Sequence, residues 1–272
     1  MAQLTLNEQK IITAAQTRCL SMINQIGISF HRRNDFDAYR LIRRAHGDIH
    51  LNQAFDVQHV KFGAGDFWLL AENENKEPIA TYCLRRFAVD DFYDLIRSLT
   101  LWFSEPPRPA DPRFVVECRI PPFGGEVVHG GGLWIRSDYR GCSRLAEVMP
   151  RLARAVALLG QPFDHDTAMI RNEPGERANV AGRKAAYMGT RVYGFARVDR
   201  FVDGWFPPEE REAVMHLCHA TRAEAIASLF DTHLAGRARR GGQFRKPTLV
   251  DQDDKPIRPA TVLSQRQDQA SV

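Results

Sequence analysis

The stretch from Gly131 to Leu159 constrains the fold more than any other part of the chain. Leu145, Val148, Met149, Leu152, Val156 and Leu159 lie at offsets of three, four, seven, eleven and fourteen from the first, which aligns them along one stripe of an α-helix. Such a stripe has to be buried against a sheet or another helix. The residues before it, Gly131 to Ile135, read as a strand, leaving Arg140-Gly141-Cys142-Ser143-Arg144 as a tight connection. The first helical turn aims unpaired backbone N–H groups, and the positive end of the helix dipole, at that connection. A phosphate is stabilised in such a place. Gly141 and Ser143 are small enough for a ligand to approach the backbone, and Arg140 and Arg144 supply charge-assisted donors. An ordinary strand-to-helix turn with surface arginines has the same spacing, so the pattern alone leaves both readings open. Pro150 would remove a hydrogen bond from the helix interior, which predicts a bend there or a later helix start.

Helical and strand periods alternate along the rest of the chain. Residues 7–23 put Ile11, Ile12, Ala15, Cys19 and Met22 on one helical face, and Ile26, Ile28 and Phe30 then alternate as a short strand. Phe67 to Ala71 and Pro78 to Phe87 read as two antiparallel strands joined by a polar loop. Asp90 to Phe103 carries Phe92, Leu95, Ile96, Leu99 and Trp102 at helical spacing. Phe114 to Cys118 and Glu126 to Ile135 give one bent strand or two. After the striped helix, Ala168 to Ile170 reads as a strand, Glu176 to Met188 as a helix, Thr190 to Phe201 as a strand and Pro207 to Leu229 as a helix. Phe67, Trp68, Trp102 and Trp134 are assigned to the core. The organisation expected is an N-terminal helix over 1–24, a central domain over 25–201, a C-terminal helix within 202–235 and a basic flexible tail over 236–272.

Composition bounds the function classes. A chain of 272 residues with 44% hydrophobic content can fill a real core. Lys and Arg exceed Asp and Glu by only 37 to 33, an imbalance too small to call for nucleic acid or an acidic membrane. The five cysteines are scattered without a C-x-x-C pair, so neither a disulfide framework nor a cysteine zinc site is expected. Met1 to Lys10 lacks the apolar core of a signal peptide and no apolar run approaches membrane-spanning length. A cytoplasmic protein with no membrane partner is the expectation. Five basic residues and no acid lie between Gly236 and Lys246; such a tail is most often simply solvated, and nucleic-acid contact is the minority reading.

The run Gly131-Gly132-Leu133-Trp134-Ile135-Arg136-Ser137-Asp138-Tyr139-Arg140-Gly141, followed by the striped helix, resembles the cofactor-binding motif of the GNAT acyltransferase superfamily. The resemblance implies an α/β fold with a mixed, mostly antiparallel central sheet flanked by helices, over roughly residues 25–201. It implies an N-acyltransferase that uses acetyl-CoA or another acyl-CoA as donor and an amine as acceptor. Backbone groups of Leu133, Trp134 and Ile135 would then pair with the pantetheine arm, and Arg140, Gly141, Cys142, Ser143, Arg144 and Leu145 would form the pyrophosphate loop. Arg140 matches the first position of the family's Arg/Gln-x-x-Gly-x-Gly/Ala pattern. Ser143 and Leu145 depart from it, standing where small residues are usual. Tyr187 resembles the tyrosine that protonates the leaving thiolate; a core tyrosine with a wetted hydroxyl is the structural alternative.

Attack of an amine on a thioester needs a neutral amine, N–H donors for the oxyanion and a proton for the sulfur. Backbone amides near Leu133 to Ile135 are candidates for the second task, and Glu126 or His129 for relaying the amine proton, although either side chain can simply face solvent. Cys142, at a helix N-terminus, has the setting of a lowered thiol pKa, but direct transfer needs no nucleophilic cysteine. His216 with His219 and His46 with His50 read as helical histidines without a complete metal-ligand set. Two other readings stay open. One is an acyl carrier protein as donor, with Leu145 crowding a pyrophosphate and Arg136, Arg140 and Arg144 meeting the acidic carrier. The other is an inactive binding module that touches nucleic acid through its tail. The loop reading has a direct test: Ser143→Glu sets a negative charge at the phosphate position, so calorimetric binding of acetyl-CoA should vanish while circular dichroism stays unchanged, and unaltered affinity refutes the placement.

Overall fold

A capping box opens the first helix. The Thr5 hydroxyl accepts from the Glu8 N–H while the Glu8 carboxylate accepts from the Thr5 N–H at 2.7 Å, fixing the start of α1 (Leu6–Asn24). The computed structural model describes residues 3–48, 51–105, 114–118, 121–141, 144–172, 191–198 and 214–229. Its further elements are β1 (Ser29–Arg33), α2 (Phe36–Ala45), β2 (Phe67–Glu72), β3 (Pro78–Val89), α3 (Phe92–Arg97), β4 (Phe114–Cys118), β5 (Gly125–Ile135), α4 (Leu145–Gly160), β6 (His165–Asn172), β7 (Arg191–Val198), β8 (Val214–Thr221) and α5 (Arg222–Ser228).

The described strands form one eight-stranded sheet in the order β1-β2-β3-β5-β6-β8-β7-β4. Every neighbouring pair is antiparallel except β5 and β6. This is the mixed, mostly antiparallel sheet flanked by helices that the sequence led us to expect. On one face, Ile12, Cys19 and Ile23 of α1, Leu145, Val148, Met149 and Leu152 of α4 and Ile226 of α5 bury against Leu69, Tyr82 and Val128. The stripe that opened the sequence argument therefore meets both α1 and the sheet, each fully buried aliphatic side chain contributing about 1.5–3 kcal/mol. On the other face Tyr39 of α2, Phe55, and Phe92 and Ile96 of α3 cover Trp68, Leu70 and Val127. Pro150 lies inside α4, which begins at Leu145, five residues earlier.

Two expectations need correction. The helix expected over Asp90 to Phe103 is only α3, because the chain reverses at Leu99 in a left-handed conformation (φ 65°) and buries Leu101, Trp102 and Phe103 as a turn. The helix expected over Pro207 to Leu229, and with it a helical 202–235 segment, is instead a strand, β8, followed by the short α5 in the part that is described. β8 lies between β6 and β7, with Leu217, Cys218, His219 and Ala220 all buried; a strand covered on both faces loses the alternation that marks strands in sequence. The Thr221–Glu224 capping box marks the true helix start. Of the two options left open for Phe114 to Cys118 and Glu126 to Ile135, the structure shows two strands: β4 is separate from β5 and pairs with β7 at the far edge of the sheet. The expected helix over Glu176 to Met188 and the tail over 236–272 lie outside the described residues.

Candidate functional site

The single parallel pairing is short. The β5–β6 ladder runs from Val127↔His165 to Gly130↔Ala168 and stops. Beyond it β5 continues to Ile135 paired only with β3, and β6 continues to Asn172 paired only with β8. Past Gly130 the two strands part, and the β6-facing edge of residues 131–135 has no strand partner among the described residues. Its backbone N–H and C=O groups are obligatory hydrogen-bonding groups, placed where an extended, amide-bearing chain can add to the sheet.

A bulge interrupts β5 at this point. Cys83 pairs with Gly131 but Thr81 pairs with Trp134, so β5 holds one extra residue. Gly132 takes φ +61°, and a Cβ there would lie 2.7 Å from the Tyr39 hydroxyl oxygen. Arg43 of α2 pins the bulge: its Nη1 donates to the Gly132 carbonyl at 2.8 Å and to the Tyr39 hydroxyl at 2.7 Å, and its Nη2 is paired with Asp48. Side chains at Gly130 or Gly131 would overlap the Tyr82 hydroxyl or the Phe55 ring. Leu133 and Ile135 pack partly buried on the α1 and α4 face. Trp134 faces the other way, its ring 4.8 Å from that of His46.

Beyond the strand the loop is nearly charge-balanced. Arg136 is held by Asp138 at 2.8 Å and Glu77 at 3.1 Å, and Arg144 by the buried Glu147 at 3.0 Å. Arg140 donates from Nε to the Ile135 carbonyl at 2.9 Å and has no ion pair with a described residue. Gly141 has φ +78° and open space around its Cβ position. α4 starts from Arg144 in a left-handed conformation with no side-chain cap, leaving its first-turn N–H groups without that partner. Leu145 is fully buried in the core. It points away from the loop, so it does not crowd a ligand there. Cys142, Ser143 and Tyr187 lie outside the described residues.

Neither proton-relay candidate faces open solvent. Glu126 is paired with Arg86 at 3.2 Å, at the start of β5 and roughly 20 Å of strand before Leu133. His129 is 2% exposed and stacks on Phe55. Thr167 Oγ1 donates to the Val128 carbonyl at 2.9 Å and receives from His129 Nδ1 at 3.0 Å, a network that puts the imidazole proton on Nδ1 and the lone pair on Nε2. Burial, helped by the Arg85 charge, pushes the His129 pKa down to about 3. His165 Nδ1 and His219 Nε2 are 2.9 Å apart under the Phe123 ring. Burial and the neighbouring His165 hold His219 at about 4. His216 and His219 are therefore strand residues, correcting the helical reading, and no group of metal-ligating residues occurs among the described residues. Cys19, Cys83 and Cys218 are free and buried. No described helix is long and apolar enough to cross a membrane.

No family model and no curated protein matches this sequence. Solved structures that superpose on it include spermidine N-acetyltransferase from Vibrio cholerae, with 9% identity, a TM-score of 0.43 and coverage of 73% of this chain and 95% of that one. Another is a GCN5-related N-acetyltransferase from Kribbella flavida, with 14% identity, a TM-score of 0.35 and coverage of 72% and 98%. Around the motif the sheet has the mixed order expected: antiparallel strands lead into β5, the loop and α4 follow, and β6 runs parallel to β5.

Arg43, Tyr39, Thr167 and Arg85 were not singled out from the sequence. The glycine run 130–132 was the available signal, since glycines inside a strand mark a bulge or a close approach of other groups.

Two measurements test this geometry. Gly132→Ala should destabilise by about 2 kcal/mol or more in urea unfolding, combining left-handed strain with the Tyr39 clash, whereas Gly141→Ala should cost only about 1 kcal/mol of backbone strain. Equal losses would contradict the bulge packing. His129 and His219 have folded pKa values below the ordinary 6.5, so the unfolded chain binds protons first. The stability they confer is complete above about pH 6.5 and is lost as pH falls toward 4 and then 3, at about 1.4 kcal/mol per pH unit for each. Unfolding free energies at about pH 7 and pH 5 should show a smaller acid loss in His129→Gln than in the parent.

Proposed function

We propose that this chain transfers an acyl group from acyl-coenzyme A, acetyl-CoA being the simplest donor, directly to an amine. The observation that carries the reading is the edge of β5 over residues 131–135, which has no strand partner among the described residues and leads through a short loop to the start of α4, where Arg144 supplies no side-chain cap. The pantetheine arm contains two amides and would add along the strand edge at Leu133, Trp134 and Ile135. The pyrophosphate would meet the first-turn N–H groups of α4 and the loop Arg140 to Leu145. With Arg136 and Arg144 already neutralised, backbone donors and Arg140 supply most of that recognition.

In the reaction the amine nitrogen attacks the thioester carbonyl carbon and the C–S bond breaks. The N–H groups near Leu133 to Ile135, next to the Gly132 bulge, are placed for the oxyanion. His129, its pKa pushed down to about 3, stays neutral at ordinary pH and is too weak a base to take the amine proton, so its Nε2 would serve as a hydrogen-bond acceptor. By the resemblance, Tyr187 returns a proton to the departing thiolate.

The acyl-carrier-protein alternative loses most of its motive, because Leu145 is turned into the core and Arg136 and Arg144 are engaged by carboxylates. An inactive module remains the competing reading. Calorimetry with acetyl-CoA and its desulfo analogue, followed by thiol release in the presence of amines, separates them. Binding of both compounds and amine-dependent thiol release are expected; failure of either compound to bind overturns the donor site.

A further inference from the structure

Four arginines are buried among the described residues: Arg43, Arg85, Arg151 and Arg154. Three of them face carboxylates, Arg43 with Asp48, Arg151 with Glu147 and Arg154 with Asp166. Arg85 is only 5% exposed and forms no direct ion pair with a described residue; the buried Asp66 carboxylate acts on it at longer range, its oxygens accepting from the Gly63 and Arg86 N–H groups. Its Nη1 donates to the Ala54 carbonyl at 3.0 Å and the Leu101 carbonyl at 2.7 Å, and the guanidinium lies 4.7 Å from the Phe87 ring centroid and 5.6 Å from that of Phe62. Its Nε is buried with no hydrogen-bond partner.

A guanidinium stays charged at any accessible pH, and burying it without a counter-ion is strongly unfavourable. The two carbonyls occupy Nη1 alone. The Nε–Nη2 edge left over is the side of the fork whose parallel N–H groups match the two oxygens of a carboxylate. Arg85 is also the cross-strand partner of His129, and both belong to the face covered by Phe55 and Phe92. Cross-strand partners rise from the same face of the sheet, so the Arg85 and His129 side chains border one layer of the fold.

We infer that the Nε–Nη2 edge of Arg85 receives the carboxylate of the acyl acceptor, so that the acceptor is an amino acid or related amino carboxylate rather than a simple amine or polyamine. The inference rests on the acyl-transfer reading for the word acceptor, but the carboxylate site stands on Arg85 itself. The amine of the bound molecule then lies toward His129 Nε2, whose lone pair would accept a hydrogen bond from it. The surrounding phenylalanine rings keep water from competing for the ion pair.

The test reads binding without donor. The full chain is titrated calorimetrically with the proteinogenic amino acids one by one, then with the amide and the decarboxylated amine of the tightest binder, and with spermidine. At least one amino acid should bind, with its amide and amine weaker by about tenfold or more. Arg85→Gln should erase that difference, and Arg85→Lys, which keeps the charge but loses the fork, should recover only part of it. Should Arg85→Gln fail to fold, the parent's amino acid against amide ratio and the Arg85→Lys variant decide. Absence of amino acid binding, equal binding of the amide, or discrimination that survives in a folded Arg85→Gln overturns the inference. Amine-dependent thiol release without any carboxylate preference sinks the carboxylate site and leaves acyl transfer intact. Carboxylate-selective binding without thiol release does the reverse.

Discussion

β5 and β6 share a ladder of only four residue pairs before they diverge, and the arrangement of the candidate site depends on that divergence. A strand inside a sheet has no spare hydrogen-bonding capacity. Once its neighbour leaves, it presents a row of backbone donors and acceptors to whatever enters the gap. Divergence has to be held open against the tendency of free edges to pair, and the bulge at Gly132 does this locally. The extra residue twists β5 away from the regular ladder, and Arg43, anchored on α2 by Tyr39 and Asp48, holds the bulged carbonyl in place. Three successive glycines allow aromatic side chains to approach the strand from both faces. The loop beyond then returns the chain over the sheet as α4, so that a strand edge and a helix N-terminus lie in succession along one short segment.

The electrostatics divide the arginines into two kinds. Those around the loop are compensated at short range by Glu77, Asp138 and Glu147, which lowers the net field there and leaves anion recognition largely to oriented N–H groups. Arg85 is different, a buried charge whose ordinary partners are two carbonyls and two rings. The neutral His129 beside it fits that environment, since a second positive charge in the same apolar layer would be doubly disfavoured. Burial also sets the His165–His219 pair apart from the metal-ligand readings of histidine: each ring is satisfied by the other and by Phe123.

Much of this could be read from local pattern. The apolar face of α1, the β2–β3 hairpin and the striped helix α4 each carry their signal in a few neighbouring residues, and the structure reproduces them. The two misreadings have different causes. Val214 to Thr221 looked helical because a covered central strand shows no polar alternation, and Asp90 to Phe103 looked helical although Leu99 reverses the chain. Leu145 illustrates a further limit at the site. Its position in the loop motif suggested a crowded ligand pocket, but only its packing against α1 and the sheet decides where the side chain points.

Sequence alone therefore determined the strand–loop–helix segment, because it follows from spacing, glycine content and helix polarity within one stretch of chain. Tertiary structure decided what each charged group has for a neighbour. Arg136, Arg144 and Arg85 are indistinguishable as letters: Asp138 and Glu147 pair with the first two from two and three residues away and Glu77 joins Arg136 from across the fold, whereas Arg85 is enclosed by the Ala54 and Leu101 carbonyls. The enclosure of Arg85 depends on contacts across the fold, and such contacts leave no local period in the sequence.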